Sequence, residues 1–252
     1  MFDIISESST RIKTGIVLVF VLLVIGFIDS MNLTWLFLGG IMLIALSEAM
    51  ELFRVDDSKI YIYAILIWIV AYFYPNPQDL VFVVGVIFAS ILAYTKNLNK
   101  KLFLPLMYPI ASYLFLLALY VSYGMSALLW LLVVVAGADV GAYFVGKSKG
   151  KTSFCETSPN KTLEGVAGGV ITSAILGMMF SPDYIGFFTA LFISLVVALS
   201  SVFGDLFESY LKREAEVKDS GDILPGHGGI LDRTDGYLFG GIIMLVMLRL
   251  FV

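Results

Sequence analysis

The chain has 252 residues, 59% of them hydrophobic and only 14% charged, with a mean hydropathy of +0.93, and that balance excludes an ordinary soluble domain. A formal charge of −4 argues against a nucleic-acid partner, which needs a basic surface, although a few local cations still suffice for a phosphate substrate. Cys155 is the sole cysteine, so an intrachain disulfide and a cysteine-built zinc cluster are excluded.

The opening MFDIISESSTRIK is polar and acidic, and no small-residue cleavage site closes the apolar run behind it, so it reads as the start of a membrane anchor rather than a signal peptide. Crossing a hydrocarbon layer of ~30 Å takes ~20 helical residues. Segments near 14–30, 32–53, 59–75, 79–95, 102–122, 126–146, 165–181, 184–207 and 236–252 reach or approach that length, which predicts an all-α polytopic membrane protein with about nine transmembrane helices. Turn-rich breaks separate them at Asp29-Ser30, Pro75–Asp79, Ser122–Met125 and Ser181–Asp183. None of these is long enough for a second domain, so residues 1–252 are expected to form one integral membrane domain, with polar loops at 147–164 and 208–235.

Positive charge is retained on the cytoplasmic face. With the N-terminus inside, that face holds Arg11, Lys13, Arg54, Lys59, Lys96, Lys100, Lys101, Lys147, Lys149, Lys151, Lys161, Lys212, Arg213, Lys218 and Arg233, which leaves only Arg249 of the 16 Lys and Arg on the far side. The expected topology is therefore N-terminus in, C-terminus out, with both long polar loops cytoplasmic.

Within the apolar runs each carboxylate costs a few kcal/mol, ~2.5 to 3.5 for Asp on insertion scales, unless it faces protein or water. Asp139 shares a helical face with Tyr143 and Lys147 that descends toward the cytoplasm, and the structural alternative is a carboxylate bonded to a neighbouring helix. Glu48 and Glu51, near the inner end of the second helix, read as interfacial residues that reach water, with a place on the same cavity as the alternative. Further on, SPNKTLEG (Ser158–Gly165) supplies the hydroxyls of Ser158 and Thr162, the point charge of Lys161 and a helix start whose free N–H groups suit an anion. By itself it is merely a capped helix start, the commoner meaning of such a stretch. Gly165, Gly168 and Gly169 just behind it read as small residues that let helices pack closely.

The densest chemistry lies from Asp205 to Asp235. Asp205, Glu208, Ser209 and Lys212 fall at i, i+3, i+4 and i+7 and share a helix face, whereas Asp219–Gly229 is rich in Gly and must be a loop. The order Ser209, Leu211-Lys212-Arg213, Lys218-Asp219, Gly221, Leu224-Pro225, His227-Gly228-Gly229-Ile230, Asp232-Arg233 and Asp235 closely resembles the signature of the phosphatidate cytidylyltransferases, or CDP-diacylglycerol synthases. SPNKTLEG resembles that family's second hallmark, Ser-Pro-Lys-Lys-Thr-Trp-Glu-Gly, with Asn160 in place of a basic residue and Leu163 in place of the aromatic one. ADVGAYFVGKSKGK occupies the place of a third family stretch.

The resemblance implies transfer of the cytidylyl group of CTP to phosphatidate, giving CDP-diacylglycerol and pyrophosphate, in a multi-pass cell-membrane enzyme with a cytoplasmic site. In a cell with two membranes that membrane is the inner one. It further implies a metal centre built by Asp205 and Asp232, with Asp235 as a further candidate and Asp219 and Asp139 as weaker ones. Hard carboxylate oxygens without Cys or clustered His select Mg²⁺, and a second cation beside it is left open. Lys161, Lys212, Arg213, Lys218 and Arg233 are the candidate catalytic cations, with His227 as acid, base or phosphate donor. Ser158, Thr162, Glu164, Ser209, Gly228, Gly229 and Asp139 are the candidate substrate-binding groups. Partners are then CTP, phosphatidate and membrane lipid, with no nucleic acid and with a homodimer left open. Two enzymatic alternatives are a polyprenol or dolichol kinase and a CDP-alcohol phosphotransferase, but the latter's DGxxAR pattern is missing, since Asp235-Gly236 runs into YLFGG. An ion transporter would use Asp139 and Asp205 as pathway residues, yet no internal symmetry supports one.

Overall fold

The structure is a computed structural model that describes residues 13–252 in full and residues 2–12 in backbone; Met1 and the side chain of Arg11, part of the charge count above, lie outside the described residues. In chain order the helices are α1 (Phe2–Ile28), α2 (Met31–Leu52), α3 (Lys59–Phe73), α4 (Leu80–Thr95), the single turn α5 (Phe103–Pro105), α6 (Ser112–Lys149), α7 (Leu163–Met179), α8 (Phe187–Glu214) and α9 (Leu231–Phe251). No strand occurs among the described residues. An apolar chain in lipid has no water to satisfy its N–H and C=O groups, and helices satisfy them within the segment.

Five stretches among the described residues are long and apolar enough to cross a membrane: Met31–Leu52, Pro77–Thr95, Lys100–Lys149, Phe187–Glu214 and Leu231–Phe251. Lys13–Ile28, Lys59–Phe73 and Leu163–Met179 are shorter apolar helices. The sequence predicts separate helices at 102–122 and 126–146, whereas Lys100–Lys149 is one run of helical turns. Gly124, at φ 75° and ψ −175°, breaks its geometry where the turn is expected, and only glycine adopts that conformation freely. The second polar loop is also shorter than the 208–235 expected, because α8 continues to Glu214 and α9 begins at Leu231.

The chain divides into two compact units, Met1–Leu117 with Glu214–Arg233, and Ala118–Arg213 with Thr234–Val252. In the first, Met42, Ala45, Leu46 and Ala49 of α2 recur at helical spacing and are fully buried. α2 and α3 are latched by a reciprocal pair of indole bonds, Trp35 Nε1 donating to Trp68 O at 2.9 Å and Trp68 Nε1 to Trp35 O at 3.1 Å. In the second unit α6 and α7 meet almost backbone to backbone. A Cβ on Gly169 would stand 2.5 Å from Ala138 O, and one on Gly141 the same distance from Thr172 Oγ1. Trp130 Nε1 donates to Gly177 O at 2.7 Å and Ser173 Oγ to Val134 O at 2.6 Å, so these two buried donors of the seam are paired. Forcing a methyl into such a contact costs typically ~1 to 3 kcal/mol.

Candidate active site

In the second unit, the segment between α6 and α7 is folded back on itself. Phe154 N donates to Lys161 O at 2.8 Å and Leu163 N to Thr152 O at 2.9 Å, and Ser153 and Thr162 form an isolated antiparallel bridge. Thr162 is the N-cap of α7: its hydroxyl accepts from Gly165 N at 3.1 Å, so the helix-start reading of SPNKTLEG is correct. Glu164 closes the fold by accepting from Lys151 N at 3.1 Å, Thr152 N at 3.2 Å and Thr152 Oγ1 at 2.9 Å. The Lys151 amide, then the Glu164 amide and the Thr152 donors, stabilise the charged form and pull this carboxyl down to about 2. Its tether is thus fully present above the ordinary carboxylate range and is lost as pH falls toward that value. Glu164, expected to bind substrate, here shapes the loop.

That shape aims Lys161 at α8. Its Nζ pairs with Asp205 Oδ2, at side-chain exposures of 25% and 35%, so both charges are half out of water and still reachable by a ligand. Ser209 Oγ, one turn on, donates to Asp205 Oδ1 at 3.4 Å. Glu208 is fully buried, with Lys212 Nζ 3.5 Å from its Oε1. Gly204 permits this crowding, since a Cβ there would stand 2.5 Å from Asp235 O. Asp235 is hydrogen-bonded to Glu208 and lies in the electrostatic field of Asp205 and Asp139. Asp139 is on the exposed side of α6 with Tyr143 and Lys147, and Lys147 Nζ donates to the Tyr143 hydroxyl at 3.3 Å. The second unit therefore concentrates four carboxyl groups and two lysines around the C-terminal part of α8.

In the first unit the loop 215–230 is organised around two carboxylates. Asp232 Oδ2 accepts from Ser220 N at 2.9 Å, Ser220 Oγ at 3.0 Å and Gly229 N at 2.9 Å. Glu48, reaching across from α2, accepts from Ser220 Oγ at 2.9 Å and from Ile230 N and Leu231 N at 2.8 Å each. It is 6% exposed, so the expectation that Glu48 reaches water is wrong; Glu51, one turn on, is exposed. Gly228, at φ 81°, would place a Cβ 2.7 Å from Asp232 Oδ2, so both its backbone and its space require glycine. Arg233 spends Nε and Nη2 on His227 O, at 2.9 and 2.7 Å, and His227 N closes a turn onto Leu224 O at 2.8 Å. Lys218 and Asp219 are exposed on this loop, as Arg213 is at the end of α8 in the other unit.

Residues 9–251 match the Cytidylyltransferase family. The chain belongs to that family. A protein named phosphatidate cytidylyltransferase from one Helicobacter pylori strain is 46% identical over 239 residues, covering 94% of this chain and 90% of its own. A second H. pylori strain has one 44% identical over 245 residues, at 96% and 92% coverage. The protein of that name from Bacillus subtilis is 46% identical over 134 residues, at 52% and 50% coverage.

Within this cytidylyltransferase, the candidate residues fall into two groups. Ser158, Lys161, Thr162, Glu164, Asp139, Asp205, Ser209, Lys212, Arg213 and Asp235 belong to the second unit, and Lys218, His227, Gly228, Gly229, Asp232 and Arg233 to the first. The structure joins Lys161 to Asp205, Asp232 to the Gly229 amide, and Arg233 to the His227 carbonyl. Two residues that organise the loop 215–230 were not among the sequence-derived candidates: Ser220, which was not singled out, and Glu48, whose place on the cavity was only the alternative reading. The only signal for Glu48 was its position inside an apolar run, and for Ser220 its place between Asp219 and Gly221.

Proposed function

We propose that this chain is a phosphatidate cytidylyltransferase, which transfers the cytidylyl group of CTP to phosphatidate to give CDP-diacylglycerol and pyrophosphate. The observation that carries this is the identity of 46% to a protein of that name along 94% of the chain, with the signature residues of 205–235 inside the matched region. A phosphate oxygen of phosphatidate forms the new bond to the α-phosphorus of CTP, and the bond from that phosphorus to the bridging oxygen breaks with release of pyrophosphate. Phosphatidate already carries an anionic oxygen, so the protein need not supply a covalent nucleophile. Its task is to bring two anions together and hold them aligned, against a repulsion that water would otherwise screen.

Lys161 suits this task. Paired with Asp205 at rest and partly exposed, it exchanges a carboxylate for a phosphate oxygen without having to be recruited from solvent. Lys212, Arg213, Lys218 and Arg233 add positive charge, and the Gly228 and Gly229 stretch keeps backbone close to an approaching phosphate. The carboxyl set Asp139, Asp205, Glu208 and Asp235 fits a hard divalent cation in its chemistry, since it contains oxygen donors only. No group of three or more His, Cys, Asp or Glu forms a ready-made cage among the described residues. Mg²⁺ needs only one or two carboxylates with phosphates and water. Asp205, with Asp232 and Asp235, is our assignment for holding it, and when bound it would neutralise charge developing on the phosphates. A second cation and a homodimer are compatible with this reading.

The membrane arrangement we infer is one integral domain of about nine crossings, with a cytoplasmic N-terminus and cytoplasmic loops after α6 and after α8. What supports it is the bias of Lys and Arg to one side of the apolar runs together with the division of Lys100–Lys149 at Gly124. Acyl chains then stay in lipid while CTP arrives from the cytoplasm. Cys155, partly exposed between α6 and α7, is the only thiol and reports on this directly. A membrane-impermeant maleimide is expected to label it in opened membranes and not in intact cells; equal rates in both would overturn the orientation.

For the activity itself, the purified protein in mixed micelles is expected to release pyrophosphate from CTP only when phosphatidate is present. Release without phosphatidate, or protein-dependent ion flux without CTP, would overturn the reading.

A further inference from the structure

We propose that Glu48 is a positioning residue for nucleotidyl transfer, which holds the loop 215–230 and the start of α9 in the arrangement that presents Asp232. The proposal rests on the phosphatidate cytidylyltransferase reading for its functional half and on geometry alone for its structural half.

Glu48 lies in the C-terminal half of α2, a mostly apolar helix, where a buried ionisable side chain is costly unless it is satisfied by protein. It is satisfied by three donors, none from its own helix: Ser220 Oγ at 2.9 Å, and Ile230 N and Leu231 N at 2.8 Å each. The last two precede and open α9, so they are among the amides a helix start leaves without an intrahelical acceptor. A carboxylate from another helix therefore takes the role that an N-cap side chain usually plays. Hydrogen bonds to a charged acceptor contribute more than neutral ones.

The space around this carboxylate is closed to anything larger. A Cβ on Gly229 would stand 2.5 Å from Glu48 Oε2, and one on Gly221 would stand 2.8 Å from Glu48 Oε1. The loop glycines are thus fitted to the anchor. From Glu48 the connection continues through Ser220, whose hydroxyl is 2.9 Å from Glu48 Oε2 and 3.0 Å from Asp232 Oδ2. One hydroxyl hydrogen serves one oxygen at a time, so Ser220 couples the two carboxylates. Asp232 is also held by the Ser220 and Gly229 amides, both at 2.9 Å. Glu48 acts through Ser220 and the α9 amides.

Glu48→Gln keeps the shape but turns an NH₂ group toward at least one of those donors. In hydrogen exchange on the detergent-solubilised protein without nucleotide, the peptide covering 218–231 is expected to exchange at least tenfold faster in E48Q, with peptides of α2 and α3 unchanged. The kcat of E48Q is expected to fall at least tenfold with little change in KM for phosphatidate, and E48D, which restores the charge, is expected to recover part of it. Should E48Q fail to purify, Ser220→Ala tests the same connection by removing only the bridging hydroxyl, with faster exchange in the same peptide as the expected result. Unchanged exchange in 218–231, or a rise spread equally over α2 and α3, would overturn the anchor. Faster exchange with unchanged kcat would overturn the positioning role. If the wild-type protein itself failed to turn over CTP while E48Q still loosened 218–231, the activity would be refuted and the anchor would stand.

Discussion

Asp205→Asn and Asp232→Asn are each expected to lower CDP-diacylglycerol formation by orders of magnitude while leaving insertion and purification normal. Asn keeps the size of Asp and one accepting oxygen. In Asp232→Asn that oxygen can still take the Ser220 and Gly229 amides, which meet a single carboxylate oxygen in the native chain. What is lost is the negative charge that a hard cation requires. In Asp205→Asn the resting partner of Lys161 is lost as well, so a half-buried ammonium is left beside an amide. Each ~1.4 kcal/mol of lost transition-state stabilisation is tenfold in rate, and an aligned metal and phosphate clamp contributes several kcal/mol. Radiolabelled CTP incorporation into lipid measures the loss. Near-wild-type turnover of Asp232→Asn at the same Mg²⁺ concentration would remove it from the metal set and move attention to Asp235 or Asp219.

Lys161→Ala is expected to lose most turnover, whereas Lys96→Ala, in the turn after α4, is expected to retain it. The lysine's backbone role survives truncation, because the Phe154 N to Lys161 O bond and the Lys161 N to Ser158 O bond need no side chain. The loop should therefore keep its shape and α7 its Thr162 cap. Only the cation disappears, leaving Asp205 without its ion-pair partner beside Asp235. A fall in kcat together with a higher KM for CTP would fit a cation that meets phosphate both in binding and in the transition state. Equal activity of the two variants would reduce SPNKTLEG to a helix cap.

Much of this was readable in the residues. Apolar runs of crossing length gave the helices because, in lipid, chain length and backbone satisfaction leave few alternatives. The Thr162 cap and the Glu208–Lys212 pair are local, fixed by spacings of three and four residues, and what was legible of them was a capped helix start in SPNKTLEG and a face shared by Glu208 and Lys212. The division at Ser122–Met125 was placed correctly, but not that one glycine would make it without a loop. Glu48 was misread for the opposite reason. Its partners lie 172 to 183 residues away, and nothing in the periodicity of α2 says which loop returns to cover it. Arg233 shows a similar limit: its charge was legible, but not that its fork would grip the His227 carbonyl.

The span between Glu48 and its partners also orders events during biogenesis. At ~5 to 20 residues per second, the 182 residues separating Glu48 from Ile230 take roughly 10 to 40 s to emerge from the ribosome. Until then α2 carries a carboxylate with no loop to receive it, and the loop has no anchor to close upon. The loop 215–230 of a nascent chain therefore sets only after α1 to α8 have been made. A chain truncated before α9 would keep Glu48 and Ser220 but lack the Leu231 amide and the Asp232 carboxylate, so it could not assemble this clamp.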